Sequence, residues 1–335
     1  MPIRTEAARP ASVVSVARAR MCGVTSDTAS ASVRLGVAFV PTVPPEQLRA
    51  IAVAVDRAGL DDLWVWEDCF KESGVATAAV ALASTEHVRV GIGLLPVPLR
   101  NVAITAMEIA TLDRIFPGRF VAGIGHGVQS WMSQVGARAS SPMTLLEEYT
   151  AALRQLLDGK RLTTKGRYVV LDDVALDWPP HRPPPLMLGG GGPRSLALAA
   201  RLGDGTLLSA ALTEEEVRSV CELVEQTRRS AGLGVAHEIV ATQIAATGPQ
   251  ASARVRTEVP NWGRSAEERI GVGGDAAEIA ASVRRLAGFG ITSVAIQPTR
   301  DETDLVGLIA FLGREVRPLL QDDDGDQDTR SGVPS

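Results

Sequence analysis

The sequence predicts a (β/α)8 barrel. Three observations point there: eight short β-rich apolar runs, longer segments of 3.6-residue periodicity between most of them, and a composition able to bury a large core. Of 335 residues, 45% are hydrophobic and 22% charged, which excludes a wholly disordered or fibrous protein. The length is about twice a ~150-residue domain, yet barrels of ~200–250 residues or more routinely form one domain. An open doubly wound sheet is the rival architecture, and it wants GxGxxG between a strand and a helix. The candidate "GIGHGVQS" breaks the third glycine, and "GGGGPRS" falls after the fifth strand.

Each element has its own local reason. "RLGVAFV" (34–40) is the first strand, and "PPEQLRAIAVAVDRAG" its helix, with prolines at the start and Gly59 at the end. "DLWVWE" (62–67) is the second strand, followed by a helix near 74–84. "VRVGIGL" (88–94) is the third, and its helix "VAITAMEIATLDRIF" is stopped by Pro117–Gly118. "RFVAGIG" (119–125) is the fourth, with a helix over 142–158. A polar, hairpin-like stretch then runs through "RLTTKGRYVVLDDVALDW" to four prolines within 179–184. Strands five to eight are "PLMLG" (185–189), "GTLLS" (205–209), "EIVATQIAA" (238–246) and "TSVAIQP" (292–298). Helices near 193–202, 213–231 and 275–288 lie between them, and the last covers 302–319.

The chain divides into an N-terminal extension (1–33), the barrel (34–320) and an acidic tail (321–335). The extension is Arg-rich with no continuous apolar stretch, so it reads as a flexible extension, with an upstream start before Met21 as one origin, and not as a signal peptide. An organellar transit peptide is the alternative there. The tail "QDDDGDQDTRSGVPS" reads as disordered. Thirty-four basic residues against 39 acidic leave a net charge of −5 with the basic residues scattered, so nucleic acid is not an expected partner. No run approaches the ~20 apolar residues of a membrane span. Cys22, Cys69 and Cys221 are odd in number and lack CxxC spacing, which fits a reducing cytoplasm and no disulfide framework or zinc site. The four histidines show no HxH or HExxH spacing, so no metal is expected.

Active sites of such barrels lie at the C-terminal ends of the strands. In "LGGGGPRSLALAAR", Gly189–Gly192 let backbone N–H groups converge, and Pro193 opens a helix whose N-terminus is partially positive. A phosphate would be held there by Gly190, Gly191 and Gly192, with Arg194 adding a charged fork. A plain βα turn is the alternative. His126, between Gly125 and Gly127, is the one histidine placed for chemistry, unless it is only hydrogen-bonded at the rim. Glu67 and Asp68 are adjacent carboxylates of which one should face a pocket; an N-cap or a loop ion pair is the other reading. "GIGLLPVPLRN" continues apolar past its strand end and could back a flat aromatic ring, or simply pack as a buried loop.

These segments together resemble the bacterial-luciferase-like superfamily, particularly members using the deazaflavin coenzyme F420. "TLDRIFPGRFVAGIG" is similar to the family's "TLD…S.GR…G.G" stretch, "PPLMLGGGGPRSLALAARLGDGTLL" to its "GG.GP" segment, and "IGVGGDAAEIAASVRRLAGFGITSVAIQP" to its closing segment. The resemblance covers roughly 34–320 and implies a (β/α)8 barrel with an insertion after the fourth barrel helix, which suits 161–184. It implies a bulge at the end of the third strand, often with a non-prolyl cis peptide, matching Gly93–Leu94 and backing the ring system. It implies phosphate binding at Gly191 and Gly192, with Arg194 following.

Where F420-dependent members often carry an Asp-His pair after the second strand, this chain has Glu67–Asp68. An acidic residue sometimes found after the fourth strand is Val128 here, which weakens a sugar-phosphate dehydrogenase reading. His126 becomes the expected acid–base group, with Asp68 as backup, and Glu67, Gly93, Leu94 and Gly127 join the expected cofactor contacts. The implied activity is hydride transfer between deazaflavin C5 and an imine, enone or carbonyl of a small-molecule substrate. A reduced-FMN monooxygenase of the same fold is the alternative cofactor reading, and a non-catalytic cofactor-binding barrel the alternative class. Family barrels generally pair through their helical faces, so a homodimer is expected.

Overall fold

The computed structural model describes residues 33–234 and 236–321. The expectations for the extension and for the acidic tail, apart from their innermost residues, lie outside the described residues.

The strands are β1 (Arg34–Phe39), β2 (Asp62–Val65), β3 (Arg89–Pro96), β4 (Phe120–Gly125), β5 (Leu162–Lys165), β6 (Val170–Val174), β7 (Leu186–Gly189), β8 (Gly205–Leu207), β9 (Glu238–Ala246), β10 (Val272–Gly273) and β11 (Ser293–Pro298). Eight of them close a parallel barrel in the order β1, β2, β3, β4, β7, β8, β9, β11, with β11 returning to β1. β10 adds a short pairing at the C-terminal end of β9. β5 and β6 form a separate antiparallel hairpin.

The helices are α1 (Leu48–Arg57), α2 (Gly74–Ala83), α3 (Val102–Ile115), α4 (Gln129–Gln134), α5 (Pro142–Leu157), α6 (Pro193–Leu202), α7 (Glu214–Ser230), α8 (Ala251–Glu258), α9 (Ala276–Gly288), α10 (Leu305–Phe311) and α11 (Arg317–Gln321). Side-chain caps set several starts. Asn101 accepts from the N–H of Ala103 at 2.9 Å to open α3. Thr213 with Glu216 and Asp275 with Glu278 form capping boxes on α7 and α9. The expected helix over 302–319 starts later, because Asp304 caps it through the N–H of Gly307 at 2.8 Å.

Two helices were invisible to periodicity. α4 buries only Met132, and α8 buries only Ala251, Val255 and Glu258, so neither carries an amphipathic stripe.

The barrel interior is filled by Trp64, Val121, Met187, Leu207, Val240 and Ala295 from six different strands. Room for the indole comes from Gly91, where an added Cβ would lie 2.4 Å from the Trp64 ring. Below this layer the first residues of five strands form a polar floor. Asp62, 1% exposed, accepts from Arg89 Nε at 2.7 Å, Arg89 Nη2 at 2.9 Å and Ser293 Oγ at 2.6 Å. Glu238 takes the remaining donors of Arg89 and pairs with Arg34. Burial opposes ionisation of Asp62, but the Arg89 and Ser293 hydrogen bonds outweigh it and hold the carboxyl below its usual range. No described helix is long and apolar enough to cross a membrane.

Candidate functional site

The C-terminal rim collects nearly every residue singled out from the sequence. On β3 the pairing with β4 slips between Ile92 and Leu95, producing the expected bulge, and the Gly93–Leu94 peptide is cis. The Leu94 side chain turns over the barrel interior. A Cβ at Gly125 or Gly189 would come within 2.6 and 2.5 Å of Leu94 Cδ2, so these two glycines make its seat. A second non-prolyl cis bond, Cys69–Phe70, follows β2.

His126 follows β4 and is half-buried. Its Nδ1 lies 2.9 Å from the carbonyl oxygen of Gly127; a carbonyl only accepts, so Nδ1 carries the proton and Nε2 is left for other partners. Gln129 Nε2 donates to the carbonyls of His126 and Gly127 at 3.1 and 3.2 Å and fixes this turn. Gly127 itself has φ +69°, a left-handed conformation that favours glycine. A Cβ on Gly190 would stand 3.7 Å from His126 Nε2, so the imidazole and the glycine run meet on one side of the rim.

That run links β7 to α6. Ser195 Oγ donates to the Gly192 carbonyl at 2.9 Å and accepts from the Gly192 N–H at 3.2 Å, which folds the loop onto the first turn of α6. Gly191, Gly192 and Arg194 remain exposed, and Arg194 has no ion-pair partner among the described residues. Exposed glycines at the start of a ten-residue helix, with an uncommitted guanidinium beside them, suit a phosphate.

The carboxylates after β2 have separate roles. Glu67 accepts from Arg100 with both oxygens and from the Gly74 N–H at 2.8 Å, tying the start of α2 to the loop before α3. Its oxygens are committed within the protein. Asp68 makes no such pair among the described residues and lines a cavity of about 260 Å³ with Trp66, Trp262 and Gln297. Burial, then the neighbouring Glu72, raises the Asp68 carboxyl above its ordinary value, with Lys71 opposing. The Trp66 and Trp262 rings meet edge to face, centroids 6.0 Å apart at 87°. Neither tryptophan was singled out from the sequence. Trp66 shares a strand parity with Trp64 and could have been, whereas Trp262 arrives from a short 3-10 turn with no local signal. His126 is not among the residues that line the Asp68 cavity.

Comparison with known proteins bears on this arrangement. The chain is 29% identical over 175 residues to a 5,10-methylenetetrahydromethanopterin reductase of Methanolobus tindarius, covering 52% of this chain and 53% of that protein. It is 30% identical over 197 residues to an F420-dependent glucose-6-phosphate dehydrogenase of Kineococcus radiotolerans, covering 55% and 58%. The matches therefore span about half the length of these curated relatives. The solved coenzyme F420 dependent tetrahydromethanopterin reductase of Methanopyrus kandleri superposes with a TM-score of 0.74 at 19% identity, over 87% of this chain and 100% of that one, a likeness of fold. The family model described as luciferase-like monooxygenase matches residues 25–268, which takes in the bulge, His126, the glycine run and the hairpin. By that match the chain belongs to the luciferase-like monooxygenase family.

Proposed function

We propose that the protein is an F420-dependent oxidoreductase that moves a hydride between the deazaflavin and an electrophilic carbon of a small organic substrate, an imine, enone or carbonyl. The observation that carries this reading is the meeting of three features on one rim: the exposed Gly191–Gly192 run with Arg194 beside it, His126 Nε2 facing Gly190, and Leu94 turned over the barrel mouth. Names of relatives at 29–30% identity, a methylenetetrahydromethanopterin reductase and an F420-dependent dehydrogenase, support it.

When bound, a deazaflavin supplies a carbon that carries hydride and lacks the nitrogen that supports oxygen chemistry. Gly191, Gly192 and Arg194 would hold its phosphate, and Leu94 would back its rings. His126, with Nδ1–H given to Gly127, keeps Nε2 free to hold or accept a proton. Asp68, raised by burial, is the second acid–base group. Oxygen-dependent chemistry on reduced FMN is the second reading, favoured by the family's description as monooxygenases.

Fluorescence titration with F420 and FMN decides between them. F420 should bind at least tenfold tighter, a preference of about 1.4 kcal/mol, and the reverse order would sink the proposal. Binding without turnover on any carbonyl, imine or enone would favour a carrier instead.

Assembly as a cytoplasmic homodimer belongs to the same proposal. Val80 on α2 and Ile104 and Met107 on α3 are 47%, 48% and 54% exposed, an apolar surface suited to a second copy.

A further inference from the structure

The cavity beside Asp68 carries an orphaned polar group. Gln297, at the C-terminal end of β11, is 2% exposed, lines that cavity, and its Oε1 has no hydrogen-bond partner among the described residues. Buried acceptors are costly to leave unpaired, and two buried polar neighbours, Glu258 and Gln243, do find partners. Glu258 accepts from Trp262 Nε1 at 3.0 Å, Asn261 Nδ2 at 3.2 Å and the Arg300 N–H at 3.1 Å. Gln243, on the neighbouring strand β9, donates to Ser282 at 3.3 Å.

The rest of the wall restricts what could supply the missing donor. Trp66 and Trp262 stand nearly perpendicular and give two apolar walls, against either of which a planar ring can lie. The two cations in the lining are opposed by its two carboxylates: Arg300 Nε sits 3.4 Å from Glu258 Oε1, and Lys71 acts on Asp68. No surplus of positive charge is left to attract an anion. At about 260 Å³ the space falls below the ~300–1,000 Å³ of drug-sized sites, so it suits a fragment of one or two rings.

We propose that this cavity is the substrate pocket and that Gln297 sets its specificity: the occupant is a neutral, planar one- or two-ring molecule whose ring N–H or phenolic O–H donates to Gln297 Oε1. The inference rests on the oxidoreductase reading above for the word substrate, while the pocket chemistry stands on Gln297 and the two tryptophans. A substrate lacking the donor leaves Oε1 buried and unpaired, and this is the basis of discrimination.

The test uses 2-quinolone, its N-methyl derivative and quinoline-2-carboxylate, titrated calorimetrically into the full chain with and without F420. The wild-type protein should bind 2-quinolone at least fivefold tighter than the N-methyl compound and tighter than the carboxylate. In Gln297→Met, which keeps the length and removes the acceptor, the N–H preference should fall below fivefold while F420 affinity is unchanged. A wild-type preference below fivefold, absence of 2-quinolone binding, a tighter carboxylate, or a preference that survives Gln297→Met overturns the proposal. Should the variant not fold, the wild-type comparison alone decides. Failure of the wild-type chain to bind F420 would strike the oxidoreductase reading instead, and the cofactor-free titrations would still decide the pocket.

Discussion

Replacing Gly190, Gly191 and Gly192 one at a time separates what the loop needs for folding from what it needs for a phosphate. A Cβ at Gly190 would lie 2.4 Å from Ser195 Oγ and 2.5 Å from Ser195 Cβ. Ser195 is 4% exposed and its hydroxyl is bound to Gly192, so it cannot swing aside without losing those bonds. Overpacking of ~1–3 kcal/mol with one hydrogen bond weakened puts Gly190→Ala at about 2–3 kcal/mol of lost stability. At Gly191 the nearest atom is Ser209 Oγ at 3.1 Å, a hydroxyl that can shift by tenths of an ångström, and Gly191→Ala should cost under ~1 kcal/mol.

At Gly192 the nearest atom is 3.8 Å away and the backbone is extended, φ −105° and ψ 156°, which a β-branched residue accepts. Gly192→Val should therefore stay within ~0.5 kcal/mol of wild type. Its new methyls nonetheless occupy the space where an anion would meet the backbone, so F420 affinity should fall at least tenfold, about 1.4 kcal/mol. Thermal unfolding and cofactor fluorescence measure the two effects independently. A folded Gly192→Val protein that binds F420 as wild type does would refute the phosphate seat. Gly190→Ala melting with the wild type would refute the packing reading of Ser195.

Asp62→Ala should remove about 3 kcal/mol, the low end for a broken buried pair because Arg89 keeps Glu238, and a urea midpoint implying less than ~1 kcal/mol would contradict the polar floor. Because the folded-state pKa of Asp62 is lowered, its contribution is complete above the unfolded value of ~3.9 and disappears as pH falls through the folded value; the variant should lose that part of the acid dependence. His126→Ala should lower turnover by ~10²–10⁴-fold with little change in F420 affinity. Near-normal turnover there, alongside a collapse in Asp68→Ala, would move the acid–base role to the end of β2. Light scattering should return a dimer at micromolar concentration, and Ile104→Lys with Met107→Lys should split it; a monomeric wild-type chain would remove the α2–α3 face as an interface.

Local choices are written within a few residues of chain. The run 238–246 reads as a strand and folds as β9 over the same residues, because apolar and β-branched residues suit a pleated strand whatever lies elsewhere. The caps of α7 and α9 lie within four residues of chain, and four glycines before Pro193 announce a loop onto a helix N-terminus. The bulge at Gly93–Leu94 was legible only through a family resemblance. Closure of the barrel decided the rest. It turned Glu67 toward Arg100, 33 residues away, and left Asp68 to line the cavity. It brought Trp262 from a turn without periodic pattern against Trp66, and it buried Gln297 with an acceptor unmet. A carboxylate's partner and a buried amide's satisfaction depend on which strands become neighbours. Periodicity is a property of consecutive residues, and carries no term for neighbours that only the closed sheet creates.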